Sequence, residues 1–253
     1  MIILKSEKEI DIMRESGKVT GYILEGLAGL IKPGISTYDI NSFVEKEILK
    51  NNMVPTFLGY NGFPAACCVS VNDEVIHGIP SKKRLLREGD IVSVDVGCTY
   101  KGYVSDAART YAVGAIDEEA GRLIRVAEES FFEGIKYCSI GFRLSDISNA
   151  IQTYVEKAGF SVVRDFVGHG VGMAMHEEPQ IPNYGKPGRG VRLAKGMVFA
   201  IEPMINQGGF DIEVMQDNWT AVTADGTLSA HYENTVVITD GEPELLTLQK
   251  GSV

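Results

Sequence analysis

Apolar residues fall at helical spacing almost from the start of the chain. Ile10, Met13, Val19, Ile23, Leu24 and Leu27 share one face, and Ser6 followed by Glu9 forms a capping-box pattern ahead of them. This predicts a long amphipathic helix that stops near Lys32-Pro33-Gly34. A second helix is predicted from Ser36 or Thr37 to Asn52. The texture then changes: from Met53 to Val113 short runs rich in β-branched and aromatic residues, CCVSV, IVSVDV and YVSDAARTYAV, are punctuated by Gly, Pro, Asn and Asp, as strands joined by turns are. Helical patterns return over 117–137 and 144–158, and Gly-rich and β-rich segments follow.

Sliding the chain along itself by 107 residues places Gly34 on Gly141, Asp39-Ile40 on Asp146-Ile147, Val44 on Ile151 and Ile48 on Val155. The match predicts two helix-then-sheet halves, about 1–113 and 114–253, packed around a pseudo-twofold with a site between them. No low-complexity linker separates them, so one compact α+β domain spanning 1–253 is expected.

Composition narrows the function. The 253 residues are 44% hydrophobic and 23% charged, the balance of a folded globular protein. A net charge of -10 excludes a protein that grips nucleic acid through a general basic field and favours a neutral, cationic or metal-assisted substrate. Cys67, Cys68, Cys98 and Cys138 form no CxxC pair and no disulfide framework, which fits a reducing compartment. The opening residues become charged within five positions, unlike a signal peptide, and no later stretch approaches a membrane span. A cytoplasmic location is expected.

Candidate chemistry begins in IVSVDVGCTYKGYVSDAART, where two β-rich arms flank Thr99-Tyr100-Lys101-Gly102. A turn centred between Tyr100 and Lys101 would set Asp95 directly opposite Asp106, with β-carbons about 4.5–5.5 Å apart. Two carboxylates that close repel unless they share a proton or a cation lies between them, and a divalent metal is the expected remedy. Asp95 lies inside the apolar run Ile91-Val92-Val94-Val96, which favours burial over an exposed pair.

The chain has four histidines: His77 in VIHGIP, His169 and His176 in VGHGVGMAMHEEPQ, and His231 in SAHYENT. Gly168, Gly170 and Gly172 bracket His169 and rule out a stable helix there, so the backbone is extended or looped where something approaches closely. Glu202 ends the apolar strand 197–201 and precedes Pro203, and Glu233 leads into the strand 235–239. Alone, either glutamate reads as a solvated strand end. With Asp95, Asp106 and His169 they read as metal ligands.

At these residues the sequence resembles the type I methionine aminopeptidases, the pita-bread metallopeptidases. FVGHGVGMAMHEEPQIPNY carries the resemblance most strongly, and SVNDEVIHGIP, the Asp95–Asp106 hairpin, AIEPM and the Glu233 strand follow in the family's order. The resemblance implies a pseudo-symmetric pita-bread fold with a dinuclear metal site between its halves. It implies two divalent ions (Co, Mn, Fe or Zn) held by Asp95, Asp106, His169, Glu202 and Glu233. The activity implied is removal of the initiator methionine by attack of a metal-bridging hydroxide on the first peptide bond. Glu202 would shuttle the proton, His176 would bond the tetrahedral oxygen, and His77 would meet the scissile nitrogen. Phe57, Tyr60, Phe63, Cys68, Met175 and Trp219 would line the methionine pocket. The implied partners are N-termini of nascent polypeptides, met at the ribosome, with no membrane and a monomeric state.

The sequence departs from the family pattern in places. Phe57 and Met175 stand where bacterial members often carry cysteine and phenylalanine, His231 where Gln is common, and Asn234 where His is common. The short separation of Glu202 and Glu233 leaves no room for a type II insertion. Two other readings remain: a Xaa-Pro peptidase, which resembles chains with an additional N-terminal domain, and a non-catalytic peptide-binding relative, which loss of ligands would mark.

Overall fold

The computed structural model describes residues 1–248. Helix α1 (Glu7–Leu30) opens on the predicted capping box, with the Ser6 N–H and hydroxyl each donating to the Glu9 carboxylate at 2.7 Å. Helix α2 (Thr37–Lys50) repeats the device: the Ser36 N–H donates to Asp39 at 2.8 Å, and the Asp39 N–H donates back to the Ser36 hydroxyl at 3.2 Å.

Five strands follow: β1 (Val54–Pro55), β2 (Cys67–Val71), β3 (Glu74–Ile76), β4 (Ile91–Tyr100) and β5 (Tyr103–Ala112). Strand β4 pairs antiparallel with β1, β2 and β5. Its side chains alternate. Val92, Val94, Val96 and Cys98 pack against Ile23, Leu27, Ile40, Val44 and Ile48 of the two helices, which leaves Ser93, Asp95 and Gly97 on the opposite face.

The second half is built the same way. Helices α3 (Glu118–Ile135) and α4 (Leu144–Lys157) precede β6 (Ser161–Val162), β7 (Gly168–Gly170), β8 (Glu177–Ile181), β9 (Val198–Ile201) and β10 (Met204–Asn206). Five more short strands complete it: β11 (Ile212–Val214), β12 (Ala221–Thr223), β13 (Ser229–His231), β14 (Asn234–Val237) and β15 (Glu244–Leu245). Its core joins Leu123, Phe131, Ile147 and Ile151 of the helices to Phe199, Ile201 and Val236 of the strands.

The offset of 107 reappears in the backbone bonds. Val54 pairs with Thr99 and Ser161 with Asn206. The Thr37 N–H donates to Arg84 O and the Leu144 N–H to Val191 O. The fold is therefore a pseudo-symmetric pair of helix-and-sheet halves, and the strands of the two halves meet along a seam.

The hairpin register differs from the sequence expectation. The turn is Tyr100 to Tyr103, not Thr99 to Gly102, so Asp95 faces Ala108 and Asp106 faces Gly97. A two-residue type I′ hairpin, whose turn matches strand twist, needs positive φ at both central positions. Lys101 and Gly102 supply it, with φ of 47° and 83°. The two aspartates are diagonal neighbours on one face, still within reach of each other.

The glycines around His169 admit close approach, and what approaches is the protein itself. A β-carbon on Gly168 would lie 2.5 Å from Ala200 O, and one on Gly170 would lie 2.3 Å from Glu178 O. Gly170→Ala should therefore force β7 from β8 and destabilise the fold by about 2–4 kcal/mol. Gly29→Ala, in a helical position with nothing within 4 Å of the added carbon, should stabilise it by about 0.5 kcal/mol. Urea unfolding of the two variants against the parent measures both signs.

Candidate metal centre

The seam is stitched by Ala108 and Glu233, which exchange both backbone bonds: the Glu233 N–H donates to Ala108 O at 3.0 Å and the Ala108 N–H to Glu233 O at 3.4 Å. Ala108 pairs with Asp95 on β4, and the β14–β9 ladder, extended one step past Asn234 and Ile201, sets Glu233 across from Glu202. Asp95, Ala108, Glu233 and Glu202 thus stand in one row across four strands, and directly opposed residues share a face. Asp95 and Glu202 are themselves related by the offset of 107.

Asp106, two residues before Ala108, projects from the same face. Thr235 holds its backbone on both sides, accepting from the Asp106 N–H at 2.9 Å and donating to the Asp106 carbonyl at 2.8 Å. His169 pairs with Ala200, two residues from Glu202, which brings the imidazole to the same cluster. Its Nε2 lies 3.5 Å from Glu202 Oε1 and 3.7 Å from Asp106 Oδ2.

These five side chains are nearly sealed from solvent; Asp106 is 2% and Glu233 1% exposed. Burial, then the adjoining Asp106, Glu202 and Asp95 charges, pushes Glu233 well above the usual carboxylate range, against the pull of Arg109. Burial and Asp106 raise Glu202 likewise, and burial with Asp106 and Glu202 raises Asp95. Burial lifts Asp106 to about 7, although Asp95 lowers it. Burial, and after it His176, lowers His169 to about 4, leaving a neutral imidazole.

The group fits a divalent cation. Asp95 Oδ1, Asp106 Oδ1 and Glu233 Oε1 are buried without a hydrogen-bond partner among the described residues. One donor atom each from Asp106, His169 and Glu233 lies within 4.8 Å of the others. Oxygen donors with one neutral imidazole suit Mn, Fe, Co or Zn.

A cavity of about 180 Å³ opens beside the cluster and is lined by Phe57, Tyr60, Phe63, Cys68, Met175 and Trp219, together with His77, His176 and Asp95. All six residues expected in an apolar pocket are brought together. Gly97 makes room for Phe57, since a β-carbon there would sit 2.5 Å from its ring. Cys68 pairs with Asp95 across the β2–β4 ladder, and burial raises its thiol so that it stays neutral. Trp219 meets Phe63 and His77 edge-on, with ring centroids 5.1 Å and 6.2 Å apart.

The histidines face the same space. His176 lies with its ring 4.3 Å from that of His169, and the Tyr60 hydroxyl bonds its Nδ1 at 2.8 Å. Burial lowers both His176 and His77, the latter to about 4. His77 has φ of 61°, a left-handed conformation costly for a non-glycine residue, at the edge of the cluster.

Several further neighbours surround the cluster, and of these Arg109, Asn183 and Phe166 were not singled out in the sequence. Arg109 lies behind Glu233: its Nη1 donates to the carbonyls of Ala108 and Glu233, and its Nη2 donates to Asn234 Oδ1 at 2.7 Å. Asn234 thus accepts from the arginine where the family pattern favours His, and it accepts from Thr247 as well at 2.9 Å. His231 is 1% exposed, and its Nε2 lies 3.8 Å from Glu233 Oε2 and 4.0 Å from Glu202 Oε2. Asn183 donates to the Glu202 carbonyl at 2.9 Å, and Phe166 closes one wall. Of the three not singled out, only Arg109 carried a sequence signal, a lone cation three residues after Asp106 in a largely buried strand.

Comparison with known proteins agrees with the geometry. The model of metallopeptidase family M24 matches residues 11–240. The chain is similar to a methionine aminopeptidase of Clostridium acetobutylicum, 56% identical over 98% of this chain and 99% of the relative. It is 50% identical to methionine aminopeptidase 1 of Bacillus subtilis, over 98% of this chain and 99% of the relative. Among solved structures, methionine aminopeptidase of Thermotoga maritima superposes with a TM-score of 0.97 at 48% identity, over 98% of this chain and 100% of that one. Prolidase of Pyrococcus furiosus shares the fold, with a TM-score of 0.79 at 21% identity, over 98% of this chain and 66% of that one.

The raised carboxylates fix a pH dependence. With no metal bound, the folded state holds protons on these groups that the unfolded chain has already released, so their contribution to stability is greatest below the unfolded values of roughly 4. It falls as pH rises from there through about 7, the value for Asp106, and beyond for the groups raised further. Metal-stripped protein should therefore lose melting temperature relative to Asp106→Asn between pH 5 and pH 8, a difference in which the opposite contribution of the lowered His77, His169 and His231 cancels. Scanning calorimetry across this range, with chelator present, reads the sign.

Proposed function

The chain belongs to metallopeptidase family M24 and is an aminopeptidase that removes N-terminal methionine, and we propose that it does so with two divalent cations held by Asp95, Asp106, His169, Glu202 and Glu233. The observation that carries this reading is the burial of four facing carboxylates, three of which, Asp95, Asp106 and Glu233, each have an oxygen without a partner among the described residues. Four negative charges are neutralised by two dications. When bound, the metals supply Lewis acidity, making a water acidic enough to attack at neutral pH and polarising the scissile carbonyl.

The chain's own groups do the rest. Glu202, raised by burial, accepts the proton of the attacking water and returns it to the departing amine. His176 has its Nδ1 engaged by Tyr60, which leaves Nε2 to donate to the carbonyl oxygen as negative charge develops on it. His77, neutral near pH 7, bonds the scissile amide. The cavity bounded by Phe57, Phe63, Cys68, Met175 and Trp219 is apolar and polarisable, matched to a thioether side chain. The free α-amine of the substrate meets the carboxylate edge at Asp95, which restricts cleavage to the first peptide bond. The substrates on this reading are N-termini of nascent polypeptides, met in the cytoplasm as they leave the ribosome by a monomeric enzyme.

Removing all metal and restoring Mn(II), Co(II), Fe(II) or Zn(II) separately should recover methionine release from Met-Ala-Ser, with little cleavage of an Ala-Pro peptide. Preferential cleavage of Ala-Pro would place the chain with the Xaa-Pro peptidases, and no metal-dependent release from either would favour a non-catalytic relative. Asp106→Asn and His169→Ala should lose bound metal by elemental analysis and at least about 10³-fold in kcat/KM. His176→Ala should retain metal and lose about 10²-fold in kcat.

A further inference from the structure

The loop between β7 and β8 carries Met175 and His176, yet among residues 171–176 no ladder pairing holds it. Met173 in its middle is 70% exposed. Something else must fix the imidazole. Glu177, the residue after His176, forms an ion pair with Lys5, in which the two side chains are 3% and 7% exposed. The Lys5 backbone is itself anchored, its N–H donating to Gly196 O at 2.7 Å, and its Nζ also donates to Ile3 O at 3.2 Å.

The pair reaches the loop at two further points. Glu177 Oε1 accepts from the Ala174 N–H at 3.3 Å. At Gly172 a β-carbon would lie 2.4 Å from Lys5 Cε and 2.5 Å from Glu177 Oε1, so lysine and glutamate lie flat against the loop backbone. The Gly172 carbonyl accepts from the Val104 N–H on β5 at 2.8 Å, which ties the loop to the strand bearing Asp106. A buried ion pair is a poor device for stability, since a matched apolar pair does as well, and here its directional bonds reach the Ile3 carbonyl on one side and the Ala174 N–H on the other.

We propose that Lys5 is a positioning residue for His176: through Glu177 its ammonium sets the loop so that the imidazole meets the Tyr60 hydroxyl and lies over the His169 ring. Nothing in the proposed chemistry uses Lys5 directly. Its kinetic consequence rests on the role given to His176 above, whereas the placement of the ring does not.

Two measurements test it on the full chain loaded with Zn(II): ¹⁵N imidazole spectra, with the His176 signals assigned by their loss in His176→Ala, and steady-state cleavage of Met-Ala-Ser. Lys5→Met should shift the His176 signals, leave those of His77 in place, and lower kcat about 10- to 100-fold with KM nearly unchanged. In the His176→Ala background the same change should have no further effect on kcat. Lys5→Arg should recover part of the loss. Unmoved His176 signals, or an equal loss of kcat in the His176→Ala background, would overturn the proposal. Should Lys5→Met fail to fold, Lys5→Met/Glu177→Leu, which leaves no buried charge, is measured in its place with the same expectations. If His176→Ala alone keeps the parent kcat, the catalytic reading of His176 fails, and the spectra alone decide the placement.

Discussion

Four carboxylates face one another in a seam that water barely reaches, and the rest of the molecule is organised around tolerating them. Two like charges 4 Å apart repel by about 4 kcal/mol even where the effective dielectric constant is near 20. Burial adds a desolvation cost to each of Asp95, Asp106, Glu202 and Glu233, and neighbouring carboxylates repel Asp95, Glu202 and Glu233 besides. The chain offers them little internal relief. Arg109 touches the Glu233 backbone rather than its carboxylate, and the nearby imidazoles are held neutral. Protons or metal ions must supply the missing positive charge, and the activity follows from the second of these.

Pseudo-symmetry explains how a chain brings such groups together at all. Each half buries one sheet face under its two helices and leaves the other toward the seam. Asp95 and Glu202 occupy equivalent positions in the two halves, so each half brings a carboxylate to the junction from the same kind of place. The Ala108–Glu233 backbone exchange then fixes the relative register of the halves to a single residue. Small side chains are required where strands crowd, which accounts for the glycines flanking His169.

Local signals were legible in the sequence and long-range ones were not. The capping boxes at Ser6 and Ser36 and the four long helices depend on neighbours three or four residues away, and they formed where the pattern put them. Asp95 could be recognised as buried because apolar residues surround it in sequence. The hairpin register was misplaced by two residues, because the preference of Lys101-Gly102 for a turn with two positive φ angles outweighs the centring of the arms. Glu202 and Glu233 rested on resemblance, since nothing within several residues of either reveals that they stand opposite each other. Arg109, Thr235 and Asn183 join the site only through strand pairing across more than a hundred residues or through side-chain approach.

The central claim is that positive charge from metal ions, at this seam, completes the structure. The direct measurement is an anomalous difference map from crystals grown with Mn(II), recorded at the manganese edge. Two peaks between the side chains of Asp95, Asp106, His169, Glu202 and Glu233 are predicted. A seam without anomalous density in catalytically active crystals, or manganese held by other residues, would contradict it.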